Sequence, residues 1–184
     1  MDLGLEDARV LVTGGASNIG RGIVHAFARE RARIVLCDID GEQAEKVRAE
    51  ALELGAAEVE LAVVDLTAPD GAERAVARAT AAWGGLDVLV SNAGWSVPGF
   101  VVEDTDRQRW QKLVEVNLFG AIAATQAALV PMVEARAGAL VYVASEAVHD
   151  PSADVGGSAG DEDACVPQSQ VHVSCPSRLT SRLV

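Results

Sequence analysis

The chain has 184 residues, a net charge of −12 and only 4% aromatic side chains. That length allows one domain with a substantial core, and a composition led by alanine, valine and leucine suits helices packed closely on a buried sheet. The negative charge argues against nucleic acid and anionic membrane surfaces as partners, because their phosphates would be repelled.

The first strand is predicted over residues 8–13, and the run from Val10 to His25 carries it through glycines into a helix predicted over 19–30. A strand, a tight turn and a helix N-terminus in that order can surround a phosphate with backbone N–H groups. Gly14 allows the sharp turn just past the strand, and Gly20 lets helix and strand approach closely. The ligand class this implies is a dinucleotide. A second strand over 33–38 ends on Asp38, at the offset expected for an acid that accepts hydrogen bonds from the adenosine ribose. A carboxylate there repels a 2′-phosphate, and neither Ser17 nor Ile39 supplies a cation to hold one. NAD is therefore favoured over NADP. Arg21 is the one residue that weakens this preference.

Further helices are predicted over 41–54, 69–82 and 105–135, the last broken or bent near Pro131, with strands over 59–64, 86–91 and 139–144. The alternation implies an α/β fold: a Rossmann-like, doubly wound parallel sheet with helices on both faces and right-handed crossovers. The ligand should sit at the carboxyl ends of the strands. After Ser145 the character changes to Pro151, Pro167 and Pro176, a glycine cluster from Gly156 to Gly160, and the acidic run Asp161 to Asp163. No helical or alternating period persists there. The expected division is a dinucleotide-binding domain over 1–149 and a disordered tail over 150–184.

Three more motifs fall where the loops should converge. Asp65-Leu66-Thr67 closes the third strand, Ser91-Asn92-Ala93-Gly94 closes the fourth, and Asn117 lies inside the long helix. With Thr13, Gly14, Gly20 and Asp38, this ordered set resembles the short-chain dehydrogenase/reductase family over residues 5 to about 148. Asn18 stands where that family more often has glycine, and asparagine tolerates left-handed backbone angles. The resemblance implies that Gly14, Ser17, Asn18, Ile19 and Gly20 line the pyrophosphate and adjoining ribose of NAD. It implies that Asp38 holds the adenosine ribose and that Asp65 and Leu66 border the adenine. Asn92, Ala93 and Gly94 would stiffen the central sheet and back the cofactor.

For chemistry, the resemblance implies hydride transfer between nicotinamide and a secondary alcohol or ketone. Asn117 would help position a water in a proton relay, and Ser145 would hydrogen-bond the substrate carbonyl or hydroxyl. The plain structural alternatives are a strand cap at Ser145 and a satisfied helix bend at Asn117. Trp95, Val97, Phe100, Val148 and His149 would line the entrance for a partly apolar substrate.

The chain also departs from the family. That chemistry uses a tyrosine downstream of the serine and a lysine one helical turn later, whose charge lowers the phenol pKa. The corresponding positions hold Ser158 and Glu162, the only tyrosine is Tyr142, and no lysine follows Lys112. The catalytic pair and the C-terminal part of the family fold are thus expected to be missing. Leu140 to Val143 should then form an exposed apolar edge, and the face of helix 105–135 that would pack in a homo-oligomer should lose its neighbour. Alternatives to an active oxidoreductase are a non-catalytic dinucleotide-binding or partner subunit and an inactive fragment. A forward shift of one base permits Ala-Thr-Lys across the codons from Gly160, close to the family's lysine segment, which suggests a frameshifted tail. The same shift cannot give tyrosine at 158, so the lesion would lie at or beside that codon; resequencing the gene tests this.

Cys37 lies in an apolar run and reads as an inert core residue. Cys165, His172 and Cys175 lack a Cys-x-x-Cys pair and a fourth ligand, so no metal is expected. No export signal is readable, and no uninterrupted apolar stretch approaches about 20 residues, so the expected location is the cytoplasm without a membrane span.

Overall fold

Alternation along each strand explains the layers. The computed structural model describes residues 3–96, 106–145 and 169–174. Strands β1 (Arg9–Thr13), β2 (Arg33–Asp38), β3 (Glu58–Val63), β4 (Val88–Ser91) and β5 (Ala139–Ser145) form a parallel sheet in the order β3-β2-β1-β4-β5. Val10 and Val12 of β1 face one side, where they meet Val24 and Ala28 of α1 (Asn18–Arg29) and Val47 and Ala51 of α2 (Gly41–Glu53). Leu11 faces the other side, toward α3 (Gly71–Trp83) and α5 (Gly120–Ala135). Both faces are buried, which is why the strands read as nearly continuous apolar runs. Ala72, Ala75 and Ala79 of α3 share one buried cluster with Ala124, Ala127 and Ala128 of α5, so small side chains let these helices pack closely on the sheet.

The long helix differs from expectation in one respect. It is not broken at Pro131: α5 continues to Ala135 and closes at Arg136 in a left-handed conformation, φ 52°. Proline removes one N–H and one helical hydrogen bond, and the helix continues past that loss for four further residues. The irregularity lies upstream instead, where α4 (Arg107–Val114) passes into a π turn at Glu115–Phe119 before α5 begins. Taken together, Arg107–Ala135 is 29 residues long and apolar enough to cross a membrane by length and composition alone. In this fold its α5 portion packs on α3 and β4. Leu118, Phe119, Val130 and Val133 on its outer side are more than half exposed.

Within the stretch read as lacking any period, Ser169–Ser174 forms a strand, β6, antiparallel to β5. Val171 stands opposite Val143 and Val173 opposite Val141, so the β5 edge expected to be bare is paired along its length. The run Ser-Gln-Val-His-Val-Ser alternates polar and apolar residues, a signal too short to stand out between Pro167 and Pro176. The other residues after Ser145 lie outside the described residues.

At the amino ends of the strands, the Arg9 backbone N–H and Nε donate to Asp87 Oδ2 at 2.9 and 2.8 Å. This ties the start of β1 to the residue before β4. The hydrogen bonds from the Arg9 guanidinium hold the Asp87 carboxyl below the usual carboxylate range, against the opposing effect of burial. A carboxyl with a depressed folded pKa binds fewer protons in the native state than in the unfolded chain. Its contribution is present above the ordinary pKa of about 4 and is lost as pH falls through the folded value. The side chain is 38% exposed, so solvent screening limits the contribution to about 1 kcal/mol. Thermal melts of wild type and Asp87→Asn should differ at pH 6 and converge as the pH is lowered below about 4; a gap that widens on acidification contradicts this reading.

Candidate functional site

Thr13, the last residue of β1, is fully buried, and its hydroxyl fastens the turn that follows β4. Thr13 Oγ1 accepts from the backbone N–H groups of Asn92 at 2.9 Å and Ala93 at 3.0 Å, and donates to the Val90 carbonyl at 3.4 Å. In return Asn92 Nδ2 donates to the carbonyls of Thr13 at 3.0 Å and Gly14 at 3.1 Å. Two strand ends that would otherwise leave buried polar groups unpaired therefore satisfy each other. Gly14 adopts φ 63°, and a Cβ there would lie 2.8 Å from Ala93 Cα. A Cβ on Gly20 would strike the Gly14 carbonyl oxygen. Both positions thus require glycine, one for conformation and one for space.

The turn delivers the chain to α1 at Asn18, which takes the left-handed φ of 48° expected of a residue standing in for glycine. Ser17 occupies the N-cap position without a side-chain cap bond, whereas Asp40 caps α2 by accepting from Gln43 N at 3.0 Å. The first N–H groups of α1 have no intrahelical partner and carry the positive end of the helix dipole. They are suited to an anion.

Asp38, at the end of β2, braces this turn. Its Oδ2 accepts from Ala16 N at 2.9 Å and its Oδ1 from Asp40 N at 3.1 Å. Each carboxylate oxygen retains a lone pair for a ligand hydroxyl. Asp65, just past β3, accepts from the Thr67 hydroxyl at 2.7 Å and the Thr67 N–H at 2.8 Å, both on Oδ1. The hydroxyl bond, then the N–H bond, with the nearby Lys112 charge, keep the Asp65 carboxyl below the usual range.

These loops enclose a cleft of about 680 Å³ at the carboxyl ends of the strands. Gly14, Ser17, Asn18, Ile19, Gly20, Asp38, Asp65, Leu66, Asn92, Ala93 and Gly94 all line it, so the glycine turn, both acids and the Asn92 turn are brought together as the sequence led one to expect. Cys37 also borders it, but the thiol is 1% exposed and burial pushes its pKa up to about 12, so it stays protonated and unreactive.

Asn117 is not among the lining residues. Its Nδ2 donates to the carbonyls of Trp95 at 2.7 Å and Leu113 at 2.9 Å, while its Oδ1 accepts from Trp95 N at 3.2 Å. Both amide hydrogens are engaged, so the side chain clamps the backbone after Gly94 to the π turn. Ser145 closes β5, and its side chain lies outside the described residues, as do Val97, Phe100, Val148 and His149. The Tyr142 hydroxyl, 2.8 Å from Thr125 Oγ1, is paired with α5 and does not border the cleft.

Sequence reasoning did not single out Lys112, the one cation among the described residues that line the cleft. Its Nζ stands 4.6 Å from the centre of the Trp95 ring. The spacing of Lys112, Glu115 and Val116, one face of a helix, was the available signal. Thr67 could have been found from its place two residues after an aspartate, a side-chain turn pattern.

Comparison with known proteins matches this geometry to a family. The family model for short chain dehydrogenases matches residues 8–157. The hydroxysteroid 11-beta-dehydrogenase 1-like protein of Xenopus tropicalis is 37% identical over 142 residues, 77% of this chain and 49% of that protein. The short chain dehydrogenase/reductase dpmpG of Macrophomina phaseolina is 34% identical over 124 residues, 67% of this chain and 71% of that one. Among solved structures, gox2181 superposes with a TM-score of 0.75 and 32% identity, covering 80% of this chain and 58% of its own. The chain spans about half the length of most curated relatives it matches.

Replacing Thr13 by valine keeps the shape but strands the N–H groups of Asn92 and Ala93. Unfolding titrations should show Thr13→Val destabilised by about 2–6 kcal/mol, at about 1–3 kcal/mol for each of the two unsatisfied donors, and Thr13→Ser by much less. Equal stability of the valine and serine variants would contradict the role given to the hydroxyl.

Proposed function

The chain belongs to the short chain dehydrogenase family of oxidoreductases, and from that premise we propose that its cleft binds NAD. The observation that carries this reading is the uncapped N-terminus of α1 facing the cleft beside Asp38. The helix end favours a pyrophosphate, and the carboxylate favours ribose hydroxyls over a 2′-phosphate. Arg21, the residue that weakened the NAD preference, is held by Glu50 through Nε at 2.8 Å and Nη2 at 2.7 Å, and it is not among the residues lining the cleft. The cleft volume falls in the ordinary range of small-molecule sites.

In this reading Ser17, Asn18, Ile19 and Gly20 present backbone N–H groups to the pyrophosphate across the Gly14 turn. Asp38 accepts from the adenosine ribose, and Asp65 and Leu66 border the adenine. Asn92, Ala93 and Gly94 form the back wall, fixed by Thr13. Bound NAD supplies the nicotinamide ring that donates or accepts a hydride. Ser145 would hydrogen-bond a secondary alcohol or ketone, and Asn117 acts by holding Trp95.

The reaction also needs a group to exchange the substrate proton. Tyr142 is paired with Thr125, and the positions where the family carries its tyrosine and lysine hold Ser158 and Glu162. We therefore propose that the chain binds NAD but does not by itself turn over an alcohol or ketone.

Calorimetric titration of the purified chain should show NAD binding at least about tenfold tighter than NADP, and Asp38→Ala should narrow the difference. NAD at about 100 times its Kd should stabilise the fold by about 2.7 kcal/mol. A panel of secondary alcohols should give no NADH absorbance. Equal binding of the two dinucleotides overturns the cofactor assignment, and turnover overturns the proposed inactivity.

A further inference from the structure

Arg21 lies on the first full turn of α1, with its backbone N–H donating to the Ser17 carbonyl at 3.2 Å. A helical side chain covers the turn on its own N-terminal side. Left free, the Arg21 guanidinium would reach back over Ser17, which lines the cleft together with Asp38. Instead it is drawn across to α2. Glu50 receives Nε and Nη2 on its two carboxylate oxygens, at 2.8 and 2.7 Å, in a two-pronged pairing. Glu50 also meets His25 Nε2 at 3.0 Å, which steadies the carboxylate between the two helices.

The consequence lies in the charge left around Asp38. Among the described residues lining the cleft, Asp38, Asp65 and Glu115 are acidic, and the single cation, Lys112, is placed over Trp95. A 2′-phosphate brings close to two negative charges and needs a cation. Arg21 is the cation whose own helix turn would bring it there. We infer that Glu50 is a positioning residue for dinucleotide selectivity: by holding Arg21 against α2 it leaves the ribose end of the cleft without a cation and disfavours a 2′-phosphorylated dinucleotide. This rests on the reading of the cleft as a dinucleotide site, and it assigns selectivity to a residue outside the cleft wall.

The Arg21 and Glu50 side chains are 44% and 36% exposed, so the pair is a modest restraint. Releasing it should raise affinity for the phosphorylated dinucleotide about threefold to fivefold, the scale of an exposed ion pair. Titration of the full chain with NAD and NADP, in wild type, Glu50→Gln, Arg21→Ala and the double variant, reads this directly. In Glu50→Gln the NADP dissociation constant should fall by that factor while the NAD value stays within about twofold; the gain should vanish in the double variant and shrink at high salt. Arg21→Ala alone should leave both affinities unchanged, a check that does not depend on the Glu50 variant folding. The inference is overturned if NAD binds Glu50→Gln and NADP affinity is unmoved, if the gain survives loss of Arg21, or if Arg21→Ala alone weakens NADP. If the wild type binds neither dinucleotide, the cleft reading fails and this inference falls with it.

Discussion

The side chains of Thr13 and Asn92 form a reciprocal set of hydrogen bonds at the centre of the sheet, and the cleft takes its shape from them. A parallel sheet splays its loops at the carboxyl ends, and nothing in the strand ladders fixes where those loops go. Here one buried hydroxyl accepts two N–H groups from the turn after β4, and one carboxamide spans two carbonyls at the end of β1. With those ends joined, Gly14 must turn with positive φ and Gly20 must pack without a side chain. The N-terminus of α1 is then aimed into the space between β1 and β4. Asn117 extends the same logic outward, tying the segment after Gly94 to the long helix.

Electrostatics then selects what such a space accepts. Among the described residues the walls carry three carboxylates and one ammonium, so phosphate groups are favoured where backbone N–H groups and the helix end face them. Hydroxyl donors are favoured at Asp38. The first basic residue of α1, Arg21, is paired with Glu50 of α2, and the proposed preference for an unphosphorylated ribose rests on that pairing. In that proposal Glu50 acts by what it withholds from the cleft, alongside what the cleft displays.

Much of this was legible in the residues. The layers followed from apolar runs of strand length alternating with helical spacing, and Val10, Leu11 and Val12 alone show both faces of the sheet. The glycine turn, Asp38, Asp65 and Asn92 could be placed together because a doubly wound sheet brings strand ends to one rim. What escaped notice depended on side-chain partners far apart in sequence. Thr13 is readable as part of the glycine-turn motif, but what its hydroxyl fastens shows only with Asn92 beside it. The π turn around Asn117 has no local signature, and Pro131, which has one, is carried within α5. Strand β6 was missed because a six-residue alternation between prolines carries little weight until a strand edge is available to pair with it.

The rim joined by Thr13 and Asn92 is proposed as a dinucleotide site entered at the N-terminus of α1. Amide hydrogen exchange of the full chain with and without NAD tests it most directly, because it reports on the backbone groups proposed to hold the ligand. Adding NAD should slow exchange at Ser17 to Gly20, at Leu66 and at Ala93 to Gly94, with little change along the β6 edge. No change at Ser17 to Gly20, or protection confined to surfaces away from the cleft, would contradict it.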